Sequence, residues 1–335
     1  FSFSDFFNFL LNLFSRMRIL LMDAPSRGIH TGFEIYFAAQ STGKELMMSY
    51  IDLHVHSTAS DGTYTPAQLV EYALQKGLAA IAVTDHDTVS GLDEAFSAAQ
   101  GTSLEVLAGI EFSTEYQGID VHIVGLDIDY ASEHFQKQLE AFQGSRELRN
   151  RKMIHLLLQQ GFSITWEQME AEYGAGVWTR AHFGRYLFEH GYVPDISEAF
   201  RLYLGDGCPC FIPREKVTPG QAVRLIRESG GIPVLAHPLL YHFSEQELVE
   251  LIRRLKEDGL LATEAMYSTY TGEDEAYMRS LAKKMGLAVS GGSDFHGSNK
   301  PHIDLGSGCD NLKIPYEVLT QLRKTRDRRN AHEEV

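Results

Sequence analysis

From Tyr50 onward, short β-branched runs take turns with amphipathic helical patterns, and that alternation limits the fold more than any other feature of the chain. Strands are predicted at 51–55, 79–84, 104–111, 121–126, 232–236, 261–266 and 288–291. Helical patterns separate most of them, at 67–75 behind Pro66, 91–100, 220–229, 245–258 and 274–285. Such an order implies a mostly parallel sheet, either open or closed into a barrel. A second regularity chooses between the two. Nearly every predicted strand carries a metal-ligand residue at its C-terminal side: His54 and His56, His86, Glu111, His122, His237, then Asp294 and His296. An open sheet gathers its site at one switch point, whereas a barrel draws on many strand ends. A barrel is therefore expected.

Residues 140–215 interrupt the alternation. Helical patterns at 139–160, 165–173 and 179–190 lead into a Pro-containing stretch, and the segment reads as a helical cap inserted into the barrel. The expected organisation is an N-terminal extension at 1–48, the barrel at 49–139 and 216–335, and the cap at 140–215. The extension is rich in Phe and Leu but broken by Asp5, Arg16 and Arg18, so it holds no uninterrupted apolar span of membrane length. It reads as lying outside the functional fold, which would start near Met47 or Met48; an amphipathic surface anchor is the alternative.

A net charge of −15 argues against a broad basic surface for duplex nucleic acid. An anionic substrate is still admissible where bound metal supplies the local positive field. The three cysteines, Cys208, Cys210 and Cys309, form no disulfide framework and no zinc site, which suits a reducing cytoplasm.

His54 and His56 stand two apart on an apolar strand and so share a face. Asp61 follows just past the strand's end and can reach the same point. Imidazole and carboxylate without thiolate suit Mn²⁺, Fe²⁺ or Zn²⁺ better than Mg²⁺ alone. Asp52, Asp85 and Asp87 are expected to orient ligating imidazoles through their other ring nitrogen.

The blocks Asp52-Leu53-His54-Val55-His56, Asp61-Gly62, Thr84-Asp85-His86-Asp87, Gly109-Ile110-Glu111, His122, Ala236-His237-Pro238 and Ser293-Asp294-Phe295-His296 occur in this order. Together they resemble the PHP (polymerase and histidinol phosphatase) family over roughly residues 50–312. The resemblance implies a distorted seven-stranded (β/α) barrel and metal-dependent phosphoester hydrolysis. It further implies one metal on His54, His56, Glu111 and Asp294, a second on Asp61, His86, Glu111 and His296, and a third on Glu111, His122 and His237. Manganese is the expected ion. The cap length and the Gly91-Leu92-Asp93 pattern are most similar to stand-alone bacterial enzymes acting on nucleoside 3′,5′-bisphosphates, which are also described as trimming short RNA from its 5′ end.

Clustered divalent ions answer the chemical need, because a phosphate dianion repels hydroxide and water must ionise at neutral pH. Glu111, Asp294 and His182 are the expected catalytic residues. In the cap, Trp178-Thr179-Arg180-Ala181-His182 resembles the family's Arg-x-His motif, making Arg180 a bidentate phosphate clamp and His182 a phosphate ligand or proton donor. Tyr267 is expected to line the pocket or stack on a base, and Lys300 and His302 are lesser phosphate candidates. The expected partner is a small phosphorylated nucleotide or short RNA, with no membrane. Histidinol phosphate hydrolysis and a non-catalytic metal-binding or polymerase-accessory module are the rival readings.

Overall fold

The two ends of the sheet meet beside the first strand. Residues 49–174, 178–212 and 217–333 are described by the computed structural model; the expectations for residues 1–48 lie outside them. The strands are β1 (Tyr50–Val55), β2 (Ala80–Val83), β3 (Glu105–Tyr116), β4 (Ile119–Leu126), β5 (Ile232–Leu235), β6 (Ala262–Tyr267), β7 (Ala288–Gly292) and the short β8 (Ile314–Pro315). Their order is β7-β6-β5-β4-β3-β2-β1-β8. Past β7 the chain returns to β1: the Asp294 amide donates to the His54 carbonyl at 2.8 Å and the His56 amide to the Phe295 carbonyl at 3.0 Å. Gly292 permits this approach, since a Cβ there would stand 2.2 Å from the His54 Cβ. The result is the distorted β/α barrel that the alternation implied, with β8 added antiparallel to β1.

One strand departs from the parallel majority. β4 is antiparallel to both β3 and β5. The cause is local: Gln117 and Gly118 both take positive φ, 55° and 86°, the two-residue turn whose twist matches a hairpin. β3 therefore continues past Glu111 to Tyr116, and Glu111 lies mid-strand rather than at a strand end. His122 lies near the beginning of β4, opposite Ser113, and the reversal carries it to the same rim as the other ligands.

The helices are α1 (Pro66–Gln75), α2 (Leu92–Ala99), α3 (Glu133–Gln159), α4 (Trp166–Tyr173), α5 (Arg180–Glu189), α6 (Ile196–Ala199), α7 (Pro219–Glu228), α8 (Glu245–Asp258), α9 (Gly272–Met285) and α10 (Glu317–Glu333). Thr65, Thr179, Thr218, Ser244 and Thr271 each close a reciprocal capping box, so side-chain chemistry fixes where five helices begin. α3 spans two cores. Its Phe135, Leu139 and Phe142 pack into the barrel cluster around Phe112, while Met153 and Leu157 join Trp178, Phe183 and Tyr186 in the cap. Each fully buried Leu or Phe contributes about 1.5–3 kcal/mol, so α3 is anchored at both ends. Among the described residues, no helix is long and apolar enough to cross a membrane.

Candidate metal centre

Glu111 is the hub of the barrel mouth. Its Oε2 stands 3.2 Å from His54 Nε2, 3.2 Å from His56 Nε2 and 3.2 Å from His86 Nδ1. Its Oε1 stands 3.0 Å from His122 Nδ1 and 3.1 Å from His237 Nε2. Asp294 Oδ1 is 3.3 Å from His56 Nε2 and 3.3 Å from His296 Nδ1, and Asp61 Oδ1 is 3.2 Å from His296 Nε2. The barrel thus brings all nine expected ligand residues together, from β1, β3, β4 and the loops that follow β1, β2, β5 and β7.

Three overlapping sets have ligand atoms within 4.8 Å of one another: His54, His56, Glu111 and Asp294; His56, Asp61, His86 and His296; and His86, Glu111 and His122. The first coincides with an expected set. The second takes His56 where Glu111 was expected, and the third takes His86 where His237 was expected. A metal ion is the group these residues fit. His54 Nε2, both His56 ring nitrogens, Asp61 Oδ1, Glu111 Oε2 and His237 Nδ1 are buried without a hydrogen-bond partner. An unsatisfied buried polar atom costs about 1–3 kcal/mol, and six atoms of metal-ligating type in one cluster call for a cation.

Electrostatics agree with that. Burial works against the charge on Glu111, yet the surrounding His54, His86 and His122 hold its carboxyl well below the usual range. Burial likewise opposes a proton on His54, but the Glu111, Glu264 and Asp294 carboxylates keep its pKa well above the ordinary imidazole value. Burial pushes His86 down to about 3, so it stays a neutral ligand. Three residues of the site, Asp87, His237 and Asp294, hold positive φ (51°, 28° and 57°). Such strain is kept only where surrounding contacts over-determine it, and it gathers at functional sites.

Two of the three carboxylates expected to orient imidazoles turn elsewhere, while against the effect of burial the third, Asp87, joins Glu111 in raising the pKa of His122. Asp85 accepts the Ser57 amide at 2.8 Å and the Ser57 and Ser60 hydroxyls, each at 2.6 Å, so it shapes the loop after β1 instead of an imidazole. Asp52 accepts the Ser293 and Gly306 amides, each at 2.8 Å, bracing the β1–β7 closure. Asp87 accepts the Ser113 amide at 3.0 Å. The carboxylate that holds a ligating ring is Glu264, which the sequence reading missed. Its Oε1 is 2.9 Å from His54 Nδ1, and its Oε2 accepts the His237 amide at 2.6 Å. One side chain thereby fixes the His54 tautomer and the strained backbone of His237. Glu264→Ala is expected to lower metal affinity and kcat/KM by about 10–100-fold, with Glu264→Gln retaining more of both; titration with Mn²⁺ followed by activity reads this out. Equal metal affinity in all three proteins would remove Glu264 from this role.

The expected substrate residues divide. Arg180 lines a cavity with Asp61, His86 and His122. Its guanidinium pairs with Asp120 and with Asp206 at 3.0 Å. His182 completes the α5 capping box, its Nδ1 accepting the Thr179 amide at 3.0 Å. Tyr267 is corrected: only 3 % exposed, it lies beneath the cluster and donates to Asp294 Oδ2 at 2.6 Å, so it supports a ligand and is closed off from a base. Lys300 binds the same Oδ2 at 2.6 Å, and His302 is exposed. A further residue missed in the sequence is Arg149. It lines the Arg180 cavity from α3, with a guanidinium nitrogen 3.3 Å from the Trp178 carbonyl. The sequence signal is weak: positions 135, 139, 142, 146, 149, 153 and 157 form one helical stripe, and both Arg146 and Arg149 interrupt its apolar run.

A family model described as PHP domain matches residues 52–173. A 5′-3′ exoribonuclease of Haemophilus influenzae is 36% identical over 250 residues, covering 75% of this chain and 91% of that protein. A 3′,5′-nucleoside bisphosphate phosphatase of Chromobacterium violaceum is 33% identical over 266 residues, covering 77% and 91%. A solved Chromobacterium violaceum structure, described as an amidohydrolase with bound sulfate and no metal, aligns with a TM-score of 0.74 at 31% identity over 83% of this chain and 97% of that one. Sequence blocks, barrel and relatives agree: the chain belongs to the PHP family of metal-dependent phosphoesterases.

Proposed function

We propose that this protein hydrolyses the 3′-phosphate of a nucleoside 3′,5′-bisphosphate, leaving a 5′-nucleotide and phosphate. The observation that carries the reading is the cavity beside the Glu111 cluster. Its inner wall is Asp61, His86 and His122; Arg149 and Arg180 supply cations, and Asp120 in the same wall is a carboxylate that a phosphate would displace from Arg180. Phe200, Phe211 and Ile212 give it an apolar side. A ligand with a phosphate at each end and a base between them matches those three surfaces. The relatives' names, a bisphosphate phosphatase and an exoribonuclease, support the same substrate class.

His54, His56, Glu111 and Asp294 would hold one divalent ion, Asp61, His86, Glu111 and His296 a second, and Glu111, His122 and His237 a third. Manganese is the first choice, with iron(II) or zinc as alternatives. Bound ions supply Lewis acidity, neutralising the phosphate and ionising water at neutral pH. The protein's own groups set the geometry. Glu111 bridges the two halves of the imidazole ring, three rings on one oxygen and two on the other. Tyr267 and Lys300 hold Asp294 Oδ2, leaving Oδ1 turned to the cluster as its ligand atom. Thr179 Oγ1 donates to Asp61 Oδ2 at 3.0 Å, docking the start of α5 at the cluster and bringing Arg180 and His182 beside it. The three free cysteines support a reducing cytoplasm as the compartment.

The test compares phosphate release, with Mn²⁺, from a nucleoside 3′,5′-bisphosphate, the matching 3′-monophosphate and histidinol phosphate. Preference for histidinol phosphate overturns the substrate assignment. Arg180→Ala is expected to raise KM for the bisphosphate about 10–100-fold, the worth of one charge-assisted hydrogen bond at about 1.5–3 kcal/mol, and to leave the 3′-monophosphate little affected. Equal losses on both substrates would confine Arg180 to the scaffold.

A further inference from the structure

Arg180 enters its cavity with its charge already matched. One guanidinium nitrogen donates to Asp120, and the other donates to Asp206 at 3.0 Å and to the Leu204 carbonyl at 3.5 Å. The cation and its two carboxylates are held with very different firmness. Arg180 is the first residue of α5, its side chain is only 19 % exposed, and its guanidinium lies 5.3 Å from the centre of the Phe211 ring. The side chains of Asp120 and Asp206 are 51 % and 62 % exposed. Asp120 follows the Gln117-Gly118 turn by two residues, and Asp206 stands between Gly205 and Gly207, the latter at a φ of 77°. A side-chain rotation takes either carboxylate off into water, while the helix and the ring keep the guanidinium in place. Ion pairs as exposed as these are weak. A phosphate, with more oxygens and more charge for the same guanidinium fork, can displace them.

We propose that Asp120 and Asp206 compete with the ligand for Arg180, and that this competition limits how tightly the site retains its 5′-nucleotide product. The inference rests on the bisphosphate reading, in which Arg180 takes the phosphate that does not react. That phosphate is the same in substrate, transition state and product. A contact to it holds all three alike and cannot speed the reaction. Unopposed, the contact would chiefly keep product in the cavity. Two carboxylates that leave Arg180 as the phosphate seats, and return as it departs, weaken the hold on every one of these species by the same factor. They also keep a largely buried cation matched between turnovers. The structure therefore carries its own inhibitor of phosphate binding, made of two side chains remote from the reacting bond. Removing it should improve the enzyme at low substrate and make it more sensitive to its product.

The experiment measures kcat and KM for a nucleoside 3′,5′-bisphosphate with Mn²⁺, in the parent protein, Asp120→Asn, Asp206→Asn and the double variant. Inhibition constants are measured alongside for the nucleoside 5′-monophosphate and for the unphosphorylated nucleoside. Each set is repeated with Arg180→Ala added. Asparagine keeps the size of the side chain and removes its charge, and both positions face solvent, so the fold should persist. KM and the inhibition constant of the 5′-monophosphate are expected to fall together. The fall should be about two- to fivefold in each single variant, the range of one exposed ion pair, and about tenfold in the double variant. kcat should not rise, the constant for the bare nucleoside should stay within twofold, and Arg180→Ala should erase the gain. A KM and inhibition constant in the double variant that match or exceed the parent's overturn the inference. So does a gain that survives Arg180→Ala or extends to the bare nucleoside, because the carboxylates would then act on the whole cavity. If Arg180→Ala leaves inhibition by the 5′-monophosphate unchanged, or the parent protein does not hydrolyse the bisphosphate, the bisphosphate reading itself is overturned, and this inference with it.

Discussion

Glu111→Gln is expected to strip the protein of bound metal and to lower kcat/KM by at least about a thousandfold, roughly 4 kcal/mol of transition-state stabilisation. The change is isosteric and sits in the middle of β3, so the barrel itself should persist. Its effect is on charge and on donors. Five imidazoles converge on the two carboxylate oxygens, and the buried Glu111 side chain is held ionised by three of them. An amide removes the negative charge and turns one acceptor into a donor that faces ring nitrogens at about hydrogen-bond range. No other carboxylate of the site reaches both halves of the ring of imidazoles. Elemental analysis of the purified variant, together with phosphate release, reads the result. Undiminished activity would sink the metal mechanism, and full metal content with lost activity would give Glu111 a different task.

Removing metal by chelation and desalting is expected to lower the melting temperature by roughly 8–16 °C for each ion lost. Binding to the folded state alone stabilises it by about 4 kcal/mol per ion at a thousandfold excess over Kd. For a domain of a few hundred residues, each kcal/mol moves the midpoint by roughly 2–4 °C. The sign follows from the buried atoms left without partners around Glu111, and from three carboxylates, Asp61, Glu111 and Asp294, buried in one cluster. Restoring Mn²⁺ should return the midpoint. An unchanged midpoint after verified metal loss would mean that the protein scaffold, without ions, neutralises the cluster.

The chemistry of this site was legible in the sequence because each ligand is encoded locally, as a His or an acid at a fixed step from an apolar run. His54 and His56 alternate on one strand, and Asp294 and His296 repeat the device near the closing seam. Direction was harder to read. The Gln117-Gly118 turn was visible, but a strand that runs backwards presents its ligand at its beginning, which no count of strand ends anticipates. The supporting groups were hardest. Asp85 looked like an imidazole partner from its neighbour His86, yet it turns to Ser57 and Ser60, more than twenty residues away in sequence. Glu264 was hidden as one acid in the apolar run of β6, and only the barrel's curvature brings it to His54, 210 positions earlier. Tyr267 failed for the same reason: its place beneath Asp294 depends on how β6 and β7 lie together.

The long helix α3 fixes how far a cation in the cavity stands from the strand that bears Glu111. Phe142 packs against Phe112, the neighbour of Glu111 on β3, with ring centroids 5.7 Å apart. Two turns further along the same stripe comes Arg149. The seven-position step from Phe142 to Arg149 advances about 10 Å at 1.5 Å each. The helix is thus a ruler, with one end clamped to the strand that bears the hub and the other carrying a cation into the cavity. A loop would let that spacing breathe. Here the distance from the hub's strand to the Arg149 guanidinium is set by helical rise, and a one-residue deletion would both shorten it and turn Arg149 about 100° out of the cavity.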